Sequence, residues 1–224
     1  MLFSGGKDSA FALWCAQMHG WDIETLVTVL PESNESWMFH YPAVKWTALQ
    51  AQALNLPQVT IPTKGVKETE VDDLSNGLEA IVRSSGIGGI VSGALASEYQ
   101  RTRLDNICEK LGLRSFAPLW HKNQQQLLRE QVESGFEIVV TACAAQGLDS
   151  KWLGRKLGEQ ELNELSALNK RHGLSVAFEG GEAETFVTAG PMFTQRLRIT
   201  QSTSHWKGDS GYLELQEVQL ENRR

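Results

Sequence analysis

The sequence predicts an α/β protein in which a Rossmann-like parallel sheet is followed by a smaller α+β domain. Short apolar runs alternate with stretches of helical periodicity over the first half of the chain, which is typical of βαβ units. The pattern changes at about Pro118, and from Ser175 onward the residues alternate as antiparallel strands do. We therefore expect two domains, residues 1–117 and residues 118–224.

The elements of the first domain follow one another in βαβ order. The predicted strands are residues 1–3, 24–30, 59–61 and 89–92, and the predicted helices are residues 10–18, 43–54 and 66–84. Pro31 is expected to end the second strand, and the following helix is expected to end before Pro57, because proline cannot donate a backbone hydrogen bond. Ligands of such sheets bind beyond the carboxyl ends of the strands, so we expect the site in the loops that follow them.

The second domain is predicted from weaker patterns. A Gln-rich helix at residues 123–132 leads into a strand at residues 136–140, and a further helix covers residues 159–172. The segment around Gly208 has the composition of a hairpin turn between antiparallel strands. This order of elements predicts an α+β domain.

Composition limits the function classes. The chain has 224 residues, a net charge of −6 and 41% hydrophobic residues, and no apolar run approaches the length of a membrane span. The acidic balance disfavours a nucleic-acid partner. The three cysteines lie far apart and form neither a CxxC pair nor a zinc spacing. Because the start of the chain leaves no room for a signal peptide, we expect a cytoplasmic protein. A homodimer is compatible with the sequence.

A Gly-rich loop between the first strand and the first helix is the strongest local pattern. This phosphate loop consists of Ser4, Gly5, Gly6, Lys7, Asp8 and Ser9. Two glycines allow a tight turn with free N–H groups, and the helix start adds partial positive charge, so the loop suits a nucleotide phosphate. The spacing of the lysine-containing P-loop of kinases and GTPases is absent. The alternative is an ordinary turn in which Ser4 or Asp8 caps the helix.

Three further segments carry polar groups near the same edge of the predicted sheet. Arg101 and Arg103 follow the fourth strand, where their guanidinium groups could reach a phosphate or a carboxylate. His40 lies in an aromatic loop after the second strand, where it could contact the adenine or the ribose or act as an acid–base group. A solvated helix start and a structural histidine are the alternatives.

The third segment is acidic. The acidic loop, residues 179–185, places carboxylates around a Gly-Gly bend between two apolar runs. Its candidate site residues are Glu179, Gly180, Gly181, Glu182, Glu184 and Thr185. Such carboxylates can bind Mg²⁺, hold a cationic substrate or orient an amine. The alternative is a solvated turn between strands.

The phosphate loop resembles the PP-loop of the ATP pyrophosphatases, and the later motifs resemble one branch of them, the diphthine–ammonia ligase family. The later motifs are Met38-Phe39-His40, Gly93-Ala94 with Tyr99-Gln100-Arg101-Thr102-Arg103, Phe116-Ala117-Pro118-Leu119-Trp120, Gly147-Leu148-Asp149 with Trp152-Leu153-Gly154, and the acidic loop. The resemblance covers almost the whole chain. The chain departs from the family in its short first strand, so we expect either a truncated start or a weak strand. We also expect no C-terminal domain of the kind fused to eukaryotic members.

The resemblance implies an adenine nucleotide alpha hydrolase-like fold and a reaction. ATP would transfer AMP to the carboxylate of diphthine on elongation factor 2, and free ammonia would then attack the mixed anhydride to give diphthamide. ATP and Mg²⁺ are the implied cofactors, and elongation factor 2 carrying diphthine is the implied partner. Another PP-loop enzyme, such as a tRNA-modifying ligase, and a non-catalytic ATP-binding module remain the alternatives.

The resemblance also implies roles for individual residues. The phosphate loop would hold pyrophosphate, with Lys7 neutralising charge and Asp8 placing Mg²⁺. Arg101 and Arg103 would stabilise phosphate or carboxylate charge, and the acidic loop would face the trimethylammonium group of the substrate, with Glu182 as a catalytic group. The remaining nucleotide-binding residues would be His40, Gly93, Ala94 and Tyr99.

Overall fold

The computed structural model describes residues 1–31, 43–63 and 69–223. Its helices are α1 (Lys7–Met18), α2 (Thr47–Leu54), α3 (Thr69–Ser85), α4 (Glu98–Leu111), α5 (Gln124–Glu133) and α6 (Glu159–His172). Its strands are β1 (Leu26–Pro31), β2 (Gln58–Thr63), β3 (Gly89–Val91), β4 (Arg114–Phe116), β5 (Glu137–Cys143), β6 (Ala183–Ala189), β7 (Gln195–Lys207) and β8 (Ser210–Asn222). Short 3-10 helices lie at Val44–Trp46 and Ser150–Trp152. The chain is a mixed α/β protein.

The first half of the chain contains two parallel strand pairs, β1 with β2 and β3 with β4. The first residues of the chain lie between these pairs. Leu2 forms a parallel bridge with Val27 of β1, and its N–H donates to the carbonyl oxygen of Val91 in β3 at 2.9 Å. The predicted strand at residues 1–3 is therefore only a bridge, because the chain turns away at Gly5, whose φ is +80°.

Two prolines lie inside strands, which corrects the predicted bounds. Pro31 is the last residue of β1, whereas the sequence predicted that the strand ends before it, and Pro62 lies within β2. β2 pairs with β1 alone among the described strands. The end of a strand and an edge strand are the places where a missing backbone N–H is tolerated.

Helices cover both faces of these strands. Leu26 and Val91 belong to a large hydrophobic core with residues of α1 and α2, whereas Val27 and Ile90 belong to a second core with residues of α3 and α4. Neighbouring residues of a strand point to opposite faces, so this division follows from the strand geometry. The parallel pairs are therefore packed between two helical layers.

The second half forms an antiparallel sheet of four strands in the order β6-β5-β8-β7. β7 and β8 form the predicted hairpin, in which Gly208 has a φ of +64° at the turn. The large core continues into this half, where the rings of Phe11 and Phe136 lie 5.5 Å apart, edge to face. None of the helices in the described ranges is long and apolar enough to span a membrane.

Candidate active site

The phosphate loop is fixed by strand β6 and helix α2. The N–H of Val187 donates to the carbonyl oxygen of Gly5 at 3.0 Å. The side-chain amide of Gln50 donates to the same oxygen at 2.9 Å and to the carbonyl oxygen of Val187 at 2.7 Å. These hydrogen bonds hold the turn before α1, which begins at Lys7, immediately after the loop glycines.

The segment after β3 packs directly on the start of α1. A Cβ atom at Gly93 would lie 2.7 Å from the backbone nitrogen of Ser9 and 2.8 Å from the backbone carbonyl carbon of Asp8. Real Cβ atoms do not approach backbone so closely, so only glycine fits at position 93 in this arrangement. The predicted nucleotide-binding residues Gly93 and Ala94 therefore lie beside the phosphate loop.

Lys7 is buried, with 3% of its side chain exposed. Its ammonium donates to Asp8 Oδ2 at 2.5 Å and to the carbonyl oxygen of Ala177 at 2.6 Å. It also lies 5.6 Å from the centre of the Phe178 ring. Phe178 has a φ of +64°, an unusual conformation for a bulky residue, and it comes immediately after the carbonyl that Lys7 binds. The Lys7 ammonium therefore joins the phosphate loop to the segment before the acidic loop.

Asp8 is held at both carboxylate oxygens. Lys7 donates to Oδ2, and the side-chain amide of Gln131 in α5 donates to Oδ1 at 3.0 Å. The Asp8 side chain is 24% exposed, so part of it faces solvent. Since each carboxylate oxygen has two lone pairs, Asp8 can still bind one further ligand.

The acidic loop meets the phosphate loop at Thr185. Thr185 Oγ1 accepts a hydrogen bond from the backbone N–H of Lys7 at 3.1 Å. Glu182 binds within its own segment, where it accepts hydrogen bonds from the N–H groups of Ser175 at 2.9 Å and Gly180 at 2.8 Å. Glu179 accepts one from the N–H of Ala96, beyond β3, at 3.2 Å. The loop is thus tied to both halves of the chain.

Two carboxylates of this loop have shifted pKa values. Burial raises the pKa of Glu184 to about 7, and the negative charge of Asp8 adds to the shift, while Lys7 opposes it. Burial and the charge of Asp8 also raise the pKa of Glu179. Burial is the main cause of both shifts, so these carboxyl groups hold a proton more tightly than solvated ones do, and a cation placed beside them would favour their ionised form.

The two predicted arginines lie on α4, at a greater remove from these contacts. The Arg101 guanidinium lies 4.5 Å from the centre of the Trp120 ring and 3.4 Å from Asp105. Arg103 stacks on the Tyr99 ring at 3.3 Å. Within the described residues, no hydrogen bond or ion pair joins either arginine to the phosphate loop or the acidic loop. His40, with the rest of its motif, lies outside the described residues.

Models of two domains of one family match the chain. The diphthamide synthase N-terminal domain matches residues 1–115, and the diphthamide synthase C-terminal domain matches residues 123–220. The chain belongs to the diphthamide synthase family. This membership confirms the resemblance found in the sequence.

Relatives named diphthine–ammonia ligase are similar to this chain over most of its length. The rat protein is 34% identical over 90% of this chain and 82% of its own. The human protein is 33% identical over 90% of this chain and 82% of its own length. The Danio rerio protein is 34% identical over 91% of this chain and 88% of its own length. The name of these relatives agrees with the diphthamide synthase family that the domain models identify.

Three groups at the site of this diphthamide synthase family member were not predicted. They are the amides of Gln50 and Gln131 and the carbonyl oxygen of Ala177, which bind Gly5, Asp8 and Lys7 respectively. Glutamine in a helix has no characteristic spacing, and a backbone carbonyl can belong to any residue type. A run of three glutamines at positions 124–126 drew attention to α5 but did not distinguish Gln131.

Proposed function

We propose that this chain is an ATP-dependent ligase that converts diphthine on elongation factor 2 into diphthamide with ammonia. An acyl-adenylate would be the intermediate, and AMP and pyrophosphate would be the by-products. The observation that carries the proposal is the contact between the two loops: Thr185 caps the N–H of Lys7 at 3.1 Å, and Lys7 binds Ala177 at 2.6 Å. The phosphate loop and the segment that carries the acidic loop are therefore in contact, and this supports a site where the carboxylate of a cationic substrate would meet ATP.

The phosphate loop would hold the triphosphate of ATP. The first turn of an α-helix leaves N–H groups without partners inside the helix. In α1 Thr185 takes the N–H of Lys7, Gly6 has no side chain to cap the others, and those others would face the phosphates. Ser4 and Ser9 place their hydroxyl oxygens 3.2 Å apart beside this turn. The Lys7 ammonium is already hydrogen-bonded to two oxygens of the protein. It would therefore stabilise the phosphates by its nearby positive charge and by holding Asp8 in place. Gly93, Ala94 and Tyr99 would line the adenosine side.

Mg²⁺ fits this site when it arrives with the nucleotide. The described residues contain no group of three or more histidine, cysteine, aspartate or glutamate side chains that could hold a metal ion. Mg²⁺ usually binds one or two carboxylates and completes its shell with phosphate oxygens and water. Asp8, whose carboxylate has lone pairs free, would be that ligand. The ion would supply positive charge at the phosphates.

The acidic loop would receive the substrate. Diphthine carries a trimethylammonium group. The carboxyl groups of Glu179, Glu184 and Asp8 lie near one another and outnumber the ammonium of Lys7, so a bound cation would favour their ionised forms and be attracted by them. Gly180, Gly181 and Thr185 would shape the turn, and Glu182 would keep it folded through its two backbone hydrogen bonds. Arg101 and Arg103 would approach the phosphate or carboxylate charge from α4.

Adenylation makes physical sense for amide formation from a carboxylate. A carboxylate is a poor acyl donor because it has no good leaving group, whereas its mixed anhydride with AMP has one. Ammonia then attacks the acyl carbon, the new C–N bond replaces the C–O bond to AMP, and a proton leaves the nitrogen. Because elongation factor 2 works in translation, we infer a cytoplasmic enzyme.

We also infer a Rossmann-like, adenine nucleotide alpha hydrolase-like sheet in a domain of residues 1–117, with a smaller substrate domain of residues 118–224. Support comes from the bridge at Leu2, which joins the two parallel pairs into the spatial order β2-β1-bridge-β3-β4. From the bridge at Leu2, the chain adds β1 and then β2 on one side and β3 and then β4 on the other, so the strand order reverses there. The phosphate loop follows directly, where ligands of such sheets bind.

The test measures AMP release from ATP with Mg²⁺ and ammonium, with and without elongation factor 2 that carries diphthine. We expect AMP only when that protein is present, together with its amidation in the mass spectrum. AMP release without the protein substrate, or with another acceptor such as tRNA, would overturn the substrate assignment. Binding of ATP without AMP release would indicate a nucleotide-binding module.

A further inference from the structure

Two buried side-chain polar atoms in the described part of the chain lack a hydrogen-bond partner, and both belong to residues that hold the phosphate loop. They are Oε1 of Gln50 and Oε1 of Gln131. The amide nitrogens of these same side chains donate to Gly5 and to Asp8. A buried acceptor without a donor costs stability. Two such acceptors at one site indicate that the hydrogen bonds donated by the amide nitrogens of the same two side chains have a function that offsets this loss of stability.

The orientation of the Gln131 amide is fixed by chemistry. An ionised carboxylate only accepts hydrogen bonds, so the NH₂ group of Gln131 must face Asp8 Oδ1, which lies 3.0 Å away. Turning the amide over would place two oxygens against each other. The unpaired Oε1 is therefore a consequence of the contact with Asp8.

We propose that Gln131 is a positioning residue that fixes the orientation of the Asp8 carboxylate at the nucleotide site. This inference rests on the proposed function. Lys7 holds only Oδ2, so without Gln131 the carboxylate could turn about its Cβ–Cγ bond. With both donors in place, the plane of the carboxylate is fixed, and so are the directions of its remaining lone pairs. Asp8 is then pre-organised for the ligand it binds.

A purely structural role would favour a different side chain at position 131. Gln131 is 1% exposed, on the face of α5 that buries Leu127 and Leu128. Methionine has nearly the same length and leaves no unpaired oxygen. Loss of the Gln131 amide takes one donor from Asp8, which is partly exposed and can bond to water instead. Stability alone therefore gives no reason for glutamine here.

Gln50 provides the contrast. Its amide donates to two carbonyl oxygens, of Gly5 and Val187, and the side chain is fully buried. Water cannot replace it there, so Gln50→Met removes a donor from buried backbone and lowers the unfolding temperature. Gln131→Met leaves the unfolding temperature unchanged or raises it. Comparing the two variants therefore separates an effect on the unfolding temperature from an effect on the nucleotide site.

The experiment compares the full chain with Gln131→Met, with Gln131→Leu as a second variant and Gln125→Met, an exposed position on the same helix, as the control. Calorimetry measures binding of Mg-ATP without the protein substrate, and a second assay measures AMP formation with it. We expect both Gln131 variants to lose roughly 10- to 100-fold in affinity or rate, the usual effect of removing a group that orients a ligating residue. Gln125→Met matches the unaltered chain.

The decisive comparison repeats the calorimetry in an Asp8→Asn background. If Gln131 acts through Asp8, then adding Gln131→Met to Asp8→Asn leaves the affinity for Mg-ATP unchanged. An equal loss in both backgrounds, an unaltered affinity and rate in Gln131→Met, or a fall in unfolding temperature that matches Gln50→Met would each overturn the proposal. If the unaltered chain bound ATP but released no AMP, the ligase would be refuted, and the calorimetry would still test Gln131.

Discussion

The ammonium of Lys7 donates a 2.6 Å hydrogen bond to the carbonyl oxygen of Ala177, which lies 170 positions further along the chain. The same ammonium is paired with Asp8 at 2.5 Å, and only 3% of the lysine side chain is exposed. Lys7 therefore links the phosphate loop to the start of the acidic loop. Because one ammonium binds both partners, a shift of either loop would lengthen or break one of the two contacts.

Lys7→Met is expected to lower the free energy of unfolding by about 1–3 kcal/mol, because it removes the donor to the Ala177 carbonyl oxygen and to Asp8 Oδ2. Urea unfolding measures the difference. Lys122→Met is the control, since that lysine is exposed and its contact with Glu130 is 4.0 Å long. If Lys7→Met were as stable as the control, the buried contacts would not hold the loops together.

The sequence predicted which segments form the site better than it predicted their contacts. Both loops were identified from their composition, and the structure brings them together at Thr185. The sequence assigned Lys7 to a phosphate, whereas its ammonium is bonded inside the protein, and that phosphate role stays a prediction. A carbonyl such as that of Ala177 has no pattern in a sequence, since its place depends on the folded backbone.

The fold could be predicted to a similar extent. The hairpin at Gly208 and the helix at Glu159–His172 follow from local turn and periodicity signals, and both are confirmed. The short strand β4 (Arg114–Phe116) was missed because three residues carry no period. Pro31 was expected to end its strand, and the predicted strand at residues 59–61 stopped before Pro62, yet both prolines lie in strands at positions where a missing N–H is tolerated.

Gly93→Ala is expected to destabilise the chain by about 1–3 kcal/mol and to reduce AMP formation. The added Cβ would overlap the backbone of Asp8 and Ser9, which cannot move without shifting the start of α1. Thermal unfolding and the AMP assay measure the two effects. Gly88→Ala is the matched control, because nothing lies within 4 Å of its added Cβ. Equal behaviour of the two variants would show that the segment after β3 does not pack tightly on the phosphate loop.

Glu184→Gln is expected to become more stable than the unaltered chain as the pH rises. Burial raises the pKa of Glu184 from 4.5 to about 7, so the folded state binds its proton more tightly than the unfolded state does. The unaltered chain therefore loses stability between about pH 4.5 and pH 7, and the cost is fully present above pH 7, whereas glutamine does not titrate.

The difference between Glu184→Gln and the unaltered chain should thus be near zero at pH 4.5 and about 2–3 kcal/mol at pH 8. Urea unfolding at a series of pH values measures it, with the exposed Glu109→Gln as the control. A difference that stays constant with pH would mean that the Glu184 carboxyl is not desolvated in the folded chain.

Glu182→Gln is expected to weaken use of the protein substrate more than binding of ATP. Its carboxylate accepts from two backbone N–H groups, and an amide can accept with its oxygen only, so one hydrogen bond of about 1–2 kcal/mol is lost and the acidic loop loosens. The KM for elongation factor 2 should rise while calorimetry with ATP stays unchanged. Glu133→Gln, an exposed change on α5, is the control. An equal loss for both ligands would place Glu182 at the nucleotide.

Asp8→Asn is expected to reduce AMP formation to background while the chain stays folded. Asparagine keeps the size of the side chain and one oxygen, but it lacks the charge that would bind Mg²⁺ and that pairs with Lys7. Circular dichroism checks the fold, and chromatographic separation of AMP from ATP measures turnover. Asp209→Asn, in the hairpin turn between β7 and β8, keeps the same net charge as the variant and should retain full activity. Full turnover in Asp8→Asn would remove the carboxylate, and with it the phosphate loop, from the mechanism.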